Sequence, residues 1–177
     1  NAYQFENSSY NFYPSDFNIK VFNNEIYVVY TSSGLLDQNR TKIGSQYTQN
    51  VVLHKIEIDP NNYTLSTIYS KEQQDISTID DKYLYGNRTP KITLNDDGSK
   101  LYLSYITEGY IDKTDQNDPP TTLTPLKEGN MNGVVLFELN TSGDILENYT
   151  NLDVSLNSTN TTMWQNIHYI DESNIII

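Results

Sequence analysis

The sequence predicts an all-β chain of tandem four-stranded antiparallel units, about two complete units and the start of a third. Three observations carry this expectation. A strand–turn–strand–glycine pattern over residues 19–34 recurs over 92–109, with Ile26 and Leu101 offset by 75 residues. A strand–turn–strand pattern follows each of these, with Val51 and Val134 offset by 83. Tyr, Ile, Val and Thr, which suit pleated and half-buried surfaces, are plentiful, and no helix-period segment with a cap competes. At 177 residues the chain has the length of one ordinary domain, or of part of a larger repeat architecture.

The elements follow in order. Residues 1–16 carry Tyr3, Phe5, Tyr10, Phe12 and Tyr13 among polar residues and read as an N-terminal arm or an outer strand for a neighbouring unit. Residues 17–75 form the first unit, whose strands a and b flank Asn23-Asn24 and whose strands c and d flank Pro60-Asn61-Asn62. Residues 76–152 form the second, with Asp96-Asp97-Gly98 and Thr141-Ser142-Gly143 in the matching turns. Asn, Asp and Gly tolerate the positive φ that tight hairpins require. Residues 153–177 begin a third unit, with Glu172-Ser173-Asn174 between its first two strands. The b–c connections, residues 35–50 and 110–133, read as long loops.

The faces of the strands are more informative than their number. A sheet with one wet face alternates apolar and polar residues. Here Ile26, Val28 and Tyr30 are opposed by Tyr27 and Val29, and Leu101, Leu103 and Tyr105 by Tyr102 and Ile106. Val135, Phe137 and Leu139 are likewise opposed by Val134 and Leu136. Sheets apolar on both sides need cover on both sides, as in a β-propeller, where four-stranded blades pack face to face around an axis. A β-sandwich, whose outer faces are polar, is the alternative fold. Two units and the start of a third cannot close a ring, so the chain is expected to be part of a longer polypeptide or to be completed by other chains.

Asn24-Glu25-Ile26-Tyr27-Val28-Val29-Tyr30-Thr31-Ser32-Ser33 followed by Val51-Val52-Leu53-His54-Lys55-Ile56 resembles the SBBP-type β-propeller repeat. So does the second unit, with Asp97-Gly98-Ser99-Lys100-Leu101-Tyr102-Leu103-Ser104-Tyr105, then Pro119-Pro120-Thr121-Thr122, Asn132-Gly133-Val134-Val135-Leu136-Phe137-Glu138-Leu139 and Ser142-Gly143. The resemblance covers about residues 17–69 and 92–150, with a third start at 167. The spacing is longer than usual, and the glycine after strand b is displaced. The resemblance implies a secreted or surface propeller protein without enzymatic activity.

Composition excludes several classes of function. Asp and Glu number 23 against 11 Lys and Arg, a formal net charge of −12, which repels phosphate backbones and argues against nucleic acid. The absence of cysteine removes disulfides, thiolate metal sites and cysteine nucleophiles together. No apolar run approaches the length needed to cross a bilayer as a helix. The glycosylation pattern N-x-[ST] occurs at Asn7, Asn39, Asn62, Asn87, Asn140, Asn148, Asn157 and Asn160. With 22 Asn and 33 Ser plus Thr, chance placement gives about four such patterns. The excess points to a secreted or extracellular-surface glycoprotein, against accidental patterns in Asn-rich loops.

Chemical motifs are sparse. Asp112, Asp115, Asn117 and Asp118 form an oxygen-rich loop that could hold Ca²⁺, but it lacks the glycine and closing glutamate of an EF-hand, and the sequence favours a solvated acidic loop. No other cofactor is expected. The histidines, His54 and His168, are 114 residues apart. His54 shares a strand face with Val52, Ile56 and Ile58 and reads as a buried, hydrogen-bonded core residue. Trp164 reads as a packing residue between units. No nucleophile elbow, zinc helix or phosphate loop is present. The sequence thus leads to a non-enzymatic structural or assembly protein, a scaffold that could form a filament or surface layer, whose partners are other copies or the remainder of its own chain. A protein- or glycan-binding module and a fragment of a polysaccharide-acting propeller enzyme are the alternatives.

Overall fold

The computed structural model describes residues 12–33, 35–36, 42–43, 49–71, 78–79, 82–112, 121–125, 133–149, 167–171 and 174–176. The first unit contains β1 (Phe12–Phe22), β2 (Glu25–Ser33), β3 (Leu35–Leu36), β4 (Lys42–Ile43), β5 (Gln49–Ile58) and β6 (Leu65–Lys71). The second contains β7 (Thr78–Ile79), β8 (Lys82–Tyr85), β9 (Arg88–Leu94), β10 (Lys100–Thr107), β11 (Gly109–Asp112), β12 (Gly133–Asn140) and β13 (Ile145–Tyr149). The hairpin of β14 (His168–Asp171) and β15 (Asn174–Ile176) follows. Among the described residues the protein is all-β, its paired strands are antiparallel, and no helix occurs.

Two open four-stranded sheets dominate. Sheet 1 has the order β1-β2-β5-β6, and sheet 2 has the order β9-β10-β12-β13. Both are meanders of strands a, b, c and d. A three-stranded sheet has the order β7-β8-β11, and its strand β11 uses residues expected to be loop. The short β3–β4 hairpin likewise lies inside the connection expected to be irregular. Strand β1 starts at Phe12, so residues 12–16, which the sequence assigns to an arm or to an outer strand for a neighbouring unit, continue the first strand across an irregularity in its pairing with β2.

Asn and Gly close the hairpins as their backbone freedom allows. Asn23, between β1 and β2, has φ of 54°. In the β9–β10 turn, Asn95 Oδ1 accepts from Lys100 N at 2.9 Å, and Gly98 N donates to Asn95 O at 3.1 Å. Gly98 has φ of +72°, and a Cβ there would overlap the ring of Phe22, the last residue of β1. The β12–β13 turn repeats the device: Asn140 Oδ1 accepts from Ser142 N and Asp144 N, both at 2.9 Å.

The sheets stack by their apolar faces. Tyr27, Val29, Val51 and Leu53 lie on one side of sheet 1, here called its front. They form a single buried cluster with Ile92, Leu101, Leu103, Tyr105, Val135, Phe137 and Leu139 on the back of sheet 2. The front of sheet 2, through Tyr102 and Leu136, packs in turn against Ile167, Tyr169 and Ile175 at the β14–β15 hairpin. Sheet 2 is therefore buried on both sides, as its doubly apolar strands demand. Each fully buried Val, Leu, Ile or Phe contributes about 1.5–3 kcal/mol. The back of sheet 1 carries its own buried cluster of Val28, Tyr30, Val52 and Ile56.

The a strands gather on one side of the stack. Strand β9 lies against β1, β2 and β5, and β14 lies against β9. Asn18 on β1 reaches across, its Oδ1 accepting from Ile92 N at 3.0 Å. That bond satisfies an edge-strand N–H that would otherwise invite another strand.

Candidate functional site

Among the described residues, the faces of the two four-stranded sheets carry matching pairs of polar groups. At the front of sheet 1, Lys55 Nζ stands 2.6 Å from Glu25 Oε1, and Tyr27 OH donates to Glu25 Oε2 at 2.6 Å. The ammonium also lies over the Tyr27 ring, 5.5 Å from its centroid. Burial raises the Glu25 pKa, but the hydrogen bonds from Lys55 and Tyr27 and the Lys55 charge outweigh it, leaving the carboxyl below its ordinary value. One repeat later, Lys100 Nζ stands 2.9 Å from Glu138 Oε1. The strand-b offset carries Glu25 onto Lys100 and the strand-c offset carries Lys55 onto Glu138. The two ion pairs are the same site with the charges exchanged. The sequence reading missed this, although the repeat offsets applied to charged positions reveal it.

A second pair recurs on the back faces. Tyr30 and His54 stack with centroids 5.5 Å apart and planes 10° apart, and Tyr30 OH is 3.0 Å from His54 Nε2. At the equivalent positions Tyr105 and Phe137 stack at 5.8 Å and 26°. His54 is 3% exposed, and burial lowers its pKa to about 4. The imidazole is neutral at physiological pH, so Nε2 can accept the Tyr30 hydroxyl proton in a hydrogen bond. The sequence expectation of a buried, hydrogen-bonded His54 matches this geometry.

The glycosylation patterns fall in contrasting places. Asn62 is exposed in the β5–β6 turn, where its Oδ1 accepts from Thr64 N at 2.9 Å and from Thr64 Oγ1 at 2.6 Å. Both bonds use the oxygen, not the nitrogen that takes the sugar. Asn148 is exposed on the edge strand β13. Asn140 is half-buried, and its Nδ2 donates to Asp144 Oδ2 at 3.1 Å. Asn87 is 0% exposed, and its Nδ2 donates to Leu84 O at 2.8 Å. The folded chain does not present that nitrogen to a transferase. Asn7, Asn39, Asn157 and Asn160 lie outside the described residues.

Of the candidate calcium loop, only Asp112 is described; Asp115, Asn117 and Asp118 lie outside. Asp112 ends β11, is exposed, and its backbone N–H donates to Thr122 Oγ1 at 2.9 Å. No group of three or more His, Cys, Asp or Glu capable of holding a metal occurs among the described residues. Asp171 is held in its own turn, both carboxylate oxygens accepting from Asn174 Nδ2 at 2.8 and 2.9 Å. Trp164 lies outside the described residues. No described helix is long and apolar enough to cross a membrane.

The chain was compared with protein-family models, with curated proteins and with solved structures, and none of the three comparisons finds a match. The likeness to SBBP-type repeats rests on the residues quoted for it.

Proposed function

We propose that the chain is an extracellular or cell-surface N-glycosylated structural protein, built of β-propeller-like blades that serve as an assembly scaffold. One observation carries the reading: the front of one sheet meets the back of the next at both junctions, between sheets 1 and 2 and between sheet 2 and the β14–β15 hairpin. A unit that meets its successor the same way each time can be extended, within one chain or between chains. The gathering of the a strands β1, β9 and β14 supports blades fanning from an axis rather than a flat stack. The exposed Asn62 and Asn148 support sugar attachment, and the residue types support a role without catalysis. Intact-mass spectrometry and electron microscopy of native material test the proposal. Hexose increments above 20.3 kDa together with ordered polymers are expected. A bare-mass protein inside the cell, or one that turns over polysaccharide, overturns it.

A binding module is the second reading, and the three-stranded sheet favours it. Tyr110 and Thr124 exchange backbone hydrogen bonds, both of 2.8 Å, so the exposed segment 121–125 is docked on β11. A loop fixed in this way can present side chains to a protein or glycan. A glycan array and a pull-down against surface proteins test it, and specific binding lost on Tyr110→Ala would favour it over the scaffold.

A further inference from the structure

Sheet 2 brings a primary amine and a carboxamide opposite one another. Lys100, the first residue of β10, and Asn140, the last residue of β12, are direct partners in the antiparallel register. Such partners have Cβ atoms about 4.5–5.5 Å apart, within reach of a lysine stem. Glu138, two residues before Asn140 on the same face, has Oε1 2.9 Å from Lys100 Nζ. The Glu138 side chain is only 16% exposed. Its register partner Tyr102 and its neighbour on that face, Leu136, belong to the buried cluster under the β14–β15 hairpin, so apolar surface flanks the pair.

The carboxamide is held at both ends. Asn140 Oδ1 accepts from Ser142 N and Asp144 N, both at 2.9 Å, and Nδ2 donates to Asp144 Oδ2 at 3.1 Å. Two backbone N–H groups on one carbonyl oxygen polarise it, and they are aimed before any charge develops there. Sheet 1 lacks this combination. Its counterpart of Asn140 is Glu57, which faces Glu25 in the register, and the lysine of its ion pair, Lys55, lies on the same strand as Glu57.

We infer that Lys100 and Asn140 join in an intramolecular isopeptide bond, Nζ to Cγ, with Glu138 as the base and the N–H groups of Ser142 and Asp144 as the oxyanion hole. Glu138 takes a proton from the Lys100 ammonium, and the freed lone pair swings to Asn140 and bonds to Cγ. The carbonyl electron pair moves onto Oδ1, where the two N–H groups stabilise it. The attacking nitrogen sheds its second proton, and Nδ2 gains one at Asp144 Oδ2. The C=O re-forms as the bond from Cγ to Nδ2 breaks, and ammonia departs with the proton that Glu138 releases. One ammonium and one carboxamide have become one secondary amide and one ammonium ion. The bond ties β10 to β12 and closes the chain from 100 to 140 into a loop, the kind of constraint that a chain without cysteine cannot obtain from a disulfide.

Intact-mass spectrometry of the full chain, made in a bacterial host that attaches no sugar and held at neutral pH, tests the bond. The expected mass lies below the 20.3 kDa of the sequence by one ammonia, and a digest should contain the peptides around 100 and 140 joined. Lys100→Arg keeps a cation beside Glu138 but offers no nucleophilic amine, and it should stay at its own full mass with unchanged circular dichroism. Glu138→Gln should slow formation about a hundredfold or more. A folded wild-type chain that keeps its full mass overturns the inference. So does a deficit that survives Lys100→Arg, which a succinimide would give, or an unchanged rate in Glu138→Gln. Sugar on Asn140 in native material also overturns it, because sugar needs the nitrogen that the cross-link expels.

Discussion

Glu25 and Lys100 occupy the same place in successive sheets, the first residue of strand b, and carry opposite charges. Their strand-c partners, Lys55 and Glu138, are exchanged to match, so this ion pair is kept in both sheets, at 2.6 and 2.9 Å. A repeat that preserves a pair while reversing its polarity preserves the interaction rather than the residues. It also makes the front faces of the two sheets electrostatically distinct.

Reversing one member of the first pair should therefore harm, and reversing both should repair. Glu25→Lys places two ammonium groups together where the Lys55 side chain is only 11% exposed. A loss of about 1–3 kcal/mol in unfolding free energy is expected. Glu25→Lys combined with Lys55→Glu, which copies the polarity of sheet 2, should recover most of it. Urea unfolding of the single and double variants checks the cycle, and additive losses would show that the pair does not interact.

Gly98 is expected to resist replacement for two separable reasons. Its φ of +72° costs a residue with a Cβ about 1 kcal/mol, and the overlap with the Phe22 ring adds about 1–3 kcal/mol. Thermal unfolding should show Gly98→Ala well below wild type. In a Phe22→Ala background the overlap disappears, and only the smaller backbone cost should remain.

His54 should make the protein acid-sensitive in a defined window. Its ordinary pKa is 6.5, and burial lowers it to about 4 in the folded chain. Above pH 6.5 both folded and unfolded states hold it neutral, and its full contribution to stability is present. As pH falls through the window from 6.5 to 4, the unfolded state takes up the proton first and stability is lost, reaching about 3 kcal/mol below pH 4. His54→Phe, which copies the Phe137 of sheet 2, should remove this component. The check is the difference between wild-type and variant stability as a function of pH, because carboxylates such as Glu25 titrate in both. A difference that stays constant across the window would overturn it.

Sugar attachment should follow exposure rather than the pattern alone. Glycopeptide mapping of native or secreted material is expected to find Asn62 and Asn148 occupied and Asn87 bare. An occupied Asn87 would require the Leu84 contact to be broken, and hydrogen exchange around β8 would then report a loosened segment.

The sequence by itself determined the repeat, the hairpins and the doubly buried strands. Asn23, Gly98 and Asn140 announced their turns because few residues accept those backbone angles or supply those side-chain caps. Tyr27 beside Val28, and Leu101 beside Tyr102, announced two covered faces because side chains alternate along a strand. Alternation carries no information about what lies opposite. That the front of sheet 1 meets the back of sheet 2, that Asn18 caps the edge of β9, and that β7, β8 and β11 form a sheet of their own were decided by tertiary packing. The burial of Asn87 belongs with them: a tripeptide pattern cannot register that its nitrogen is buried and donates to Leu84 O.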